Sequence, residues 1–201
     1  MYMQFVVLSS SRGTTFQAVL DRIADGTLTA KCMGLVTDRA DRGCAEKALA
    51  AGLNVKYVDK KEGEKREDYD KRVHEAVLSL ASPGSIIAAL GWMSILSPWF
   101  IGQWKNSIIN VHPALLPKFG GKNMYGDKVH QAVLAAGDQE SGITIHLMDE
   151  GVDTGRILLQ KTCPVLAGDT VETLKARVQG LEKEWYPKVL EMIENNEITL
   201  G

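Results

Sequence analysis

Apolar positions along this chain follow two alternating rhythms. Gln4–Leu8, Thr29–Val36, Asn54–Val58 and Ser85–Leu90 are short, mostly apolar segments, and between them lie stretches whose apolar residues return every three or four positions. The first rhythm predicts strands. The second predicts helices at Phe16–Ile23, Gly43–Ala51 and Arg66–Leu80, the last burying a stripe of Tyr69, Val73, Val77 and Leu80. Ser107–Pro117 opens as another apolar run, in which alternation puts Asn110 and His112 on one face and Ile109 and Val111 on the other. Pro113 lacks a backbone donor and biases His112 towards extended geometry, so the strand is predicted to end there. A further alternating strand starts at Ser141 and runs into an acidic, glycine-bearing loop that carries Asp153. Thr170–Glu194 reads as the last long helix, which Pro187 is expected to kink or divide. This order predicts an α/β fold, a doubly wound and mostly parallel twisted sheet with helices on both faces and right-handed crossovers. Ligands bind such sheets at the carboxyl edge, where Asn110 and His112 are expected.

Composition narrows the picture. A chain of 201 residues, 45% hydrophobic, suits one domain over residues 1–201 with a proper core. A net charge of −2 without a dense Lys/Arg run argues against a nucleic-acid partner held through phosphates, while leaving room for small anions. Cys32, Cys44 and Cys163 are odd in number with no Cys-x-x-Cys spacing, which indicates reduced thiols rather than a disulfide framework or zinc ribbon. The start of the chain suits a first strand better than a signal peptide, and no apolar stretch is long enough to span a bilayer.

Three segments carry candidate chemistry. Ser9–Thr15 is a small, hydroxyl-rich loop at a predicted helix start, where free N–H groups and the helix dipole attract an anion and Gly13 allows close approach. An ordinary Ser/Thr helix cap explains the same residues equally well. Gly91–Phe100 is an apolar segment after a strand end, either core cover or the floor of a pocket for a flat heterocycle. Asn110, His112 and Asp153 together suit acyl transfer: an amide and an imidazolium stabilise an oxyanion, and a carboxylate favours and orients the imidazolium. No Gly-x-Ser-x-Gly elbow or plausible cysteine nucleophile is present, so direct attack by the substrate's amine fits better than a covalent acyl-enzyme. A structural histidine is the competing reading, and a zinc site of His112, His146 and Asp153 is a further one whose spacing matches no metal motif.

At these residues the sequence resembles the phosphoribosylglycinamide formyltransferases of purine synthesis, from Gln4 to about Ile198. The resemblance is carried by Asn110-Val-His-Pro-Ala-Leu-Leu-Pro-Lys118 together with Glu150-Gly-Val-Asp-Thr-Gly155. It implies a cytoplasmic, metal-free enzyme, monomer or homodimer, that moves a formyl group from 10-formyltetrahydrofolate to the amine of glycinamide ribonucleotide. It implies catalytic roles for Asn110, His112 and Asp153, phosphate binding at Gly13, Thr14 and Thr15, and a ribonucleotide contact at Glu182. It also implies folate contacts at Arg66 and at an apolar pterin pocket of Met93, Ile95 and Leu96, with His146 beside the site; Lys118 and Lys122 are candidates to assist anion binding, with plain solvation of exposed lysines in a glycine-rich loop as the competing reading. The chain departs from the family pattern at Ser11, usually glycine, at Thr14-Thr15, usually Ser-Asn, and at Ser94, where arginine is common. The connection over 119–130 resembles a longer variant within the family. Methionyl-tRNA formyltransferase and formyltetrahydrofolate deformylase share the signature but add domains for which this length leaves no room. A sugar-nucleotide formyltransferase remains an alternative, as does a flavodoxin-like binding protein for a phosphorylated ligand, although the latter leaves Asn110, His112 and Asp153 unexplained.

Overall fold

A computed structural model describes residues 2–201. Seven strands form one sheet: β1 (Gln4–Leu8), β2 (Lys31–Thr37), β3 (Val55–Tyr57), β4 (Ile86–Ala89), β5 (Ile108–His112), β6 (Glu140–Leu147) and β7 (Ile157–Pro164). Between and after them run α1 (Thr14–Ala24), α2 (Gly43–Ala50), α3 (Arg66–Leu78), α4 (Pro98–Gln103), α5 (Asp127–Ala136) and α6 (Val171–Glu194). The spatial order is β3-β2-β1-β4-β5-β6-β7. β1 to β5 pair in parallel, whereas β6 and β7 join antiparallel. The chain therefore winds outward from β1 in both directions, and the crevice beyond the carboxyl ends of β1 and β4 is its topological switch point.

Alternation in β1 divides the core. Phe5 and Val7 enter the layer that contains Phe16 and Val19 of α1 and Tyr186, Val189 and Leu190 of α6. Val6 and Leu8 enter the opposite layer with Tyr69, Val73 and Val77 of α3 and Phe100 of α4. The doubly wound, mostly parallel sheet predicted from the pattern is thus present, with both faces covered by helices.

Several local expectations need correction. Part of the apolar segment after β4 is helical: Ser97 caps α4 by accepting from the Phe100 N–H at 3.3 Å, with Pro98 at its first turn. α5 and β7 escape the hydropathy rhythm, α5 because a glycine-rich stretch precedes it and β7 because as an edge strand it buries only Cys163 fully. Pro187 does not divide the last helix, which runs unbroken over 24 residues. Its neighbours Tyr186, Val189 and Leu190 are fully buried, and that packing outweighs one missing helical hydrogen bond. The Tyr186 hydroxyl also donates to the Ile109 carbonyl at 2.9 Å, pinning α6 to β5 beside Asn110.

Candidate active site

A cavity of about 440 Å³ opens at the switch point, lined from the ends of β1, β4 and β5, the loop after β6 and one side of α6. Strand register builds its centre. Asn110 lies opposite Ala89 on one side and His146 on the other, while His112 lies opposite Thr144. The Thr144 hydroxyl donates to the Ala114 carbonyl at 2.7 Å and accepts from the Leu116 N–H at 2.9 Å, which fixes the turn just beyond His112.

The polar groups form a connected set. His112 Nδ1 stands 3.3 Å from Asp153 Oδ2, and its Nε2 is 2.8 Å from the Phe119 carbonyl oxygen. Acceptors thus face both ring nitrogens, an arrangement that imidazolium, a donor at both positions, satisfies. Asp153 is held in the left-handed region at φ 59°, and its Oδ2 also accepts from the Gly121 N–H at 3.0 Å. His146 Nδ1 donates to the Leu147 carbonyl at 2.9 Å, so Nε2 is left to accept from Asn110 Nδ2 at 3.1 Å. Burial holds His146 below the usual histidine range, which keeps it neutral and consistent with that role.

The hydroxyl-rich loop reaches the cavity through Ser11, Thr14 and Thr15. Gly13 does not line it. Its N–H is taken by Ser11 Oγ at 3.1 Å, and at φ 73° a Cβ there would stand 2.8 Å from the Cys44 Cα. Glycine is needed at this position to clear α2, not to admit a ligand, which leaves the first N–H groups of α1 at Thr14 and Thr15 as the free donors. The departure at Ser11 is structural as well: its hydroxyl bridges Ser9 Oγ at 3.0 Å and the Leu90 carbonyl at 3.3 Å, tying β1 to β4. Glu182 of α6 accepts from Thr15 Oγ1 at 3.0 Å, and burial pushes its carboxyl up to about 7.

Met93, Ile95 and Leu96 line another part of the same cavity, Met93 and Ile95 being 54% and 42% exposed. Large apolar side chains so exposed in a concave surface mark a ligand site. The segment is held by Asp70, buried in α3, whose Oδ2 accepts from the Ser97 N–H at 2.5 Å. Tyr69 stacks on Trp92 with ring centroids 6.4 Å apart.

Two expected residues are not brought in. Arg66 is exposed at the first turn of α3, outside the cavity lining. Lys118 faces away, its ammonium paired with Asp138 at 2.6 Å. The lining includes residues that pattern alone did not single out, among them His130, Lys175 and Gln179, together with the loop 121–126. A signal for His130 was present, because Val129, His130 and Val133 fall on one helical stripe and all three are buried. None of the three cysteines lines the cavity; burial pushes the Cys32 thiol up to about 12 and raises that of Cys163. No cluster of three or more potential metal ligands occurs among the described residues. No helix among them is long and apolar enough to cross a membrane.

Comparison with known proteins sets this geometry in a lineage. The chain is 33% identical over 195 residues to the bovine (Bos taurus) trifunctional purine biosynthetic protein adenosine-3, a match that covers 97% of the chain and 19% of that much longer protein. It is 33% identical to the phosphoribosylglycinamide formyltransferase of Escherichia coli (strain K12), covering 94% of this chain and 85% of that one. Among solved structures, glycinamide ribonucleotide transformylase 1 from Symbiobacterium toebii superposes with a TM-score of 0.89 at 30% identity, covering 97% of this chain and 89% of the other. The formyl transferase family model matches residues 3–190, nearly the whole of the sheet and its helices, and the chain belongs to that family.

Proposed function

We propose that this protein transfers a formyl group from 10-formyltetrahydrofolate to the amine of glycinamide ribonucleotide, working in the cytoplasm on small molecules, with residues 1–201 acting as one catalytic unit. One observation carries the reading: the Asn110, His112 and Asp153 set lies in a single cavity that also holds a hydroxyl-bearing helix start and an exposed apolar segment. In this reading the N–H groups of Thr14 and Thr15 receive the acceptor's phosphate and Glu182 faces its ribose. Met93, Ile95 and Leu96 receive the pterin. Arg66 stands outside the cavity, suited only to the far end of the folate tail.

The acceptor's amine attacks the formyl carbon directly. A carbon–nitrogen bond forms to the amine and the bond to the folate N10 breaks, while the proton lost by the amine ends on N10. The Asn110 amide and the His112 imidazolium stabilise the oxyanion of the tetrahedral intermediate, and Asp153 supplies the counter-charge. His112 must exchange its bond to the Phe119 carbonyl for one to the oxyanion. His146 acts through Asn110, by accepting from its amide and so orienting it.

The test is to incubate the protein with 10-formyltetrahydrofolate and either glycinamide ribonucleotide or an amino sugar nucleotide, and to identify the formylated product by mass spectrometry. Formylation of glycinamide ribonucleotide is expected. Formylation of the sugar nucleotide alone would redirect the acceptor assignment, and no product from either would refute transfer.

A further inference from the structure

Three of the four histidines have partners that explain them. His74 accepts from Trp104 Nε1 at 3.0 Å, His112 bonds Phe119 and faces Asp153, and His146 bonds Leu147 and Asn110. His130, on the first turn of α5, does not fit this pattern. It lines the cavity, is 2% exposed, and has an enclosed Nδ1 with no hydrogen-bond partner. A neutral imidazole carries one donor and one acceptor, and enclosing one unpaired costs stability unless something else pairs with it. Burial, reinforced by the charge of Lys175, holds His130 below the usual histidine range, so it faces the cavity as a neutral group.

Its surroundings say which part of a ligand it meets. The charges of both Lys175 and His112 bear on His130, and that of Lys175 also bears on Glu182, the partner of Thr15. Lys175, Gln179 and Glu182, spaced four and three residues apart, line the cavity from one face of α6, the wall whose Glu182 holds Thr15, and His130 enters beside it. Lys175 is itself anchored to Asp127, one turn ahead of His130, at 2.6 Å, so α5 and α6 are tied together where the histidine enters.

We propose that His130 is a further binding residue of this site, whose imidazole hydrogen-bonds the neutral polar stretch of the acceptor between its phosphate and its reacting amine. This rests on the function proposed above. A ribose and an amide supply the donors and acceptors that a neutral imidazole lacks here, whereas a charged group would be served better by Lys175 or Asp153. Nδ1 is enclosed by protein, so the nitrogen that meets the ligand is Nε2, which is neither enclosed nor hydrogen-bonded in the free protein.

The test uses His130→Phe, His130→Asn and His130→Gln in the full chain, with thermal stability measured without ligand and binding of glycinamide ribonucleotide and 10-formyltetrahydrofolate measured separately by calorimetry. His130→Phe keeps the ring volume and removes the unpaired nitrogens, so the empty variant should be at least as stable as the parent. Its affinity for glycinamide ribonucleotide should fall about ten- to a hundredfold, with folate affinity changed less than about twofold. Glutamine places an amide near Nε2 and should recover most of the lost affinity, whereas asparagine, whose amide falls near the enclosed Nδ1, should recover little. If phenylalanine does not fit, that pair still reads the difference, glutamine binding well and asparagine poorly. Normal acceptor binding by His130→Phe overturns the proposal, as do equal losses for both ligands with a lowered Tm, or failure of glutamine to recover binding. A parent protein that does not bind glycinamide ribonucleotide overturns the acceptor reading and this inference with it, an outcome distinct from the variant results.

Discussion

The polar wall of Ser11, Thr15 and Glu182 and the apolar wall of Met93, Ile95 and Leu96 belong to one cavity but hold their ligand-facing groups by different means. On the polar wall the Ser11 and Thr15 hydroxyls already have protein partners, and burial raises the Glu182 carboxyl to about 7. On the apolar wall Met93 and Ile95 stand in water, while Leu96 packs into the core and the ends of the segment are tied down by Tyr69 against Trp92 and by Asp70 at Ser97. The polar wall carries its cost as desolvated polar atoms and the apolar wall carries it as exposed hydrophobic area. In the proposed function each cost is relieved by a different ligand, the acceptor on the polar wall and the folate on the apolar one.

Asp153 faces His112 in the same cavity, and changing it gives the largest expected effect. Asp153→Asn keeps the size and tolerates φ 59°, since asparagine is also at home in the left-handed region, but it removes the charge facing His112. Turnover should fall by roughly a hundred- to ten-thousandfold while the KM of each substrate moves little. Adding His112→Ala should cost little more, because groups that act as one unit are not additive. Losses that simply multiply would separate the two residues.

Glu182→Gln probes the polar wall in the absence of ligand. The unfolded carboxyl titrates near 4.5 and the folded one near 7, so the native state holds its proton across that window. Stability from this group is therefore greatest below about pH 4.5 and is lost as pH rises through 7. Glutamine removes that loss, so the variant should be more stable at pH 8, on the order of 2 kcal/mol or a Tm higher by several degrees. The two proteins should converge near pH 4.5. A parallel pair of stability curves against pH would contradict the enclosed carboxyl.

The apolar wall is tested by Ile95→Ala, which should raise the KM for the formyl donor about tenfold and leave that for the acceptor unchanged. An equal rise in both would mean that the walls are not separate. The smallest effect is expected at Arg66. Because it is exposed and outside the cavity, Arg66→Ala should raise the donor KM by no more than about fivefold, the range of a solvent-screened ion pair, and high salt should remove the difference.

The parts of this site that could be read in the sequence are those set by local geometry. Asn110 and His112 follow from a period of two ending at a proline, and the parallel strands follow from their apolar runs. Asp153 stands out only as a carboxylate in the acidic loop after a predicted strand, and the resemblance then groups it with His112, since no periodicity links it to a strand that ends 41 positions upstream. The Phe119 carbonyl that holds His112 is a backbone atom and leaves no trace in residue type. Lys118 misled for the opposite reason: a lysine among glycines looks free, whereas Asp138 captures it through a contact only the fold creates. Gly13 was expected to admit a ligand, and the atom that demands glycine there belongs to α2.

The bond from Asn110 to His146 has a consequence for conformational entropy. An asparagine amide free to rotate would surrender that freedom when the oxyanion forms, at about 0.5–1.5 kcal/mol for an immobilised side chain. Here His146 has its own orientation fixed by the Leu147 carbonyl, and it immobilises the amide as the sheet assembles. The rotational freedom is given up at folding, among the many other losses that the core offsets, and in the proposed reaction the amide hydrogen not taken by His146 is already aimed when the oxyanion forms.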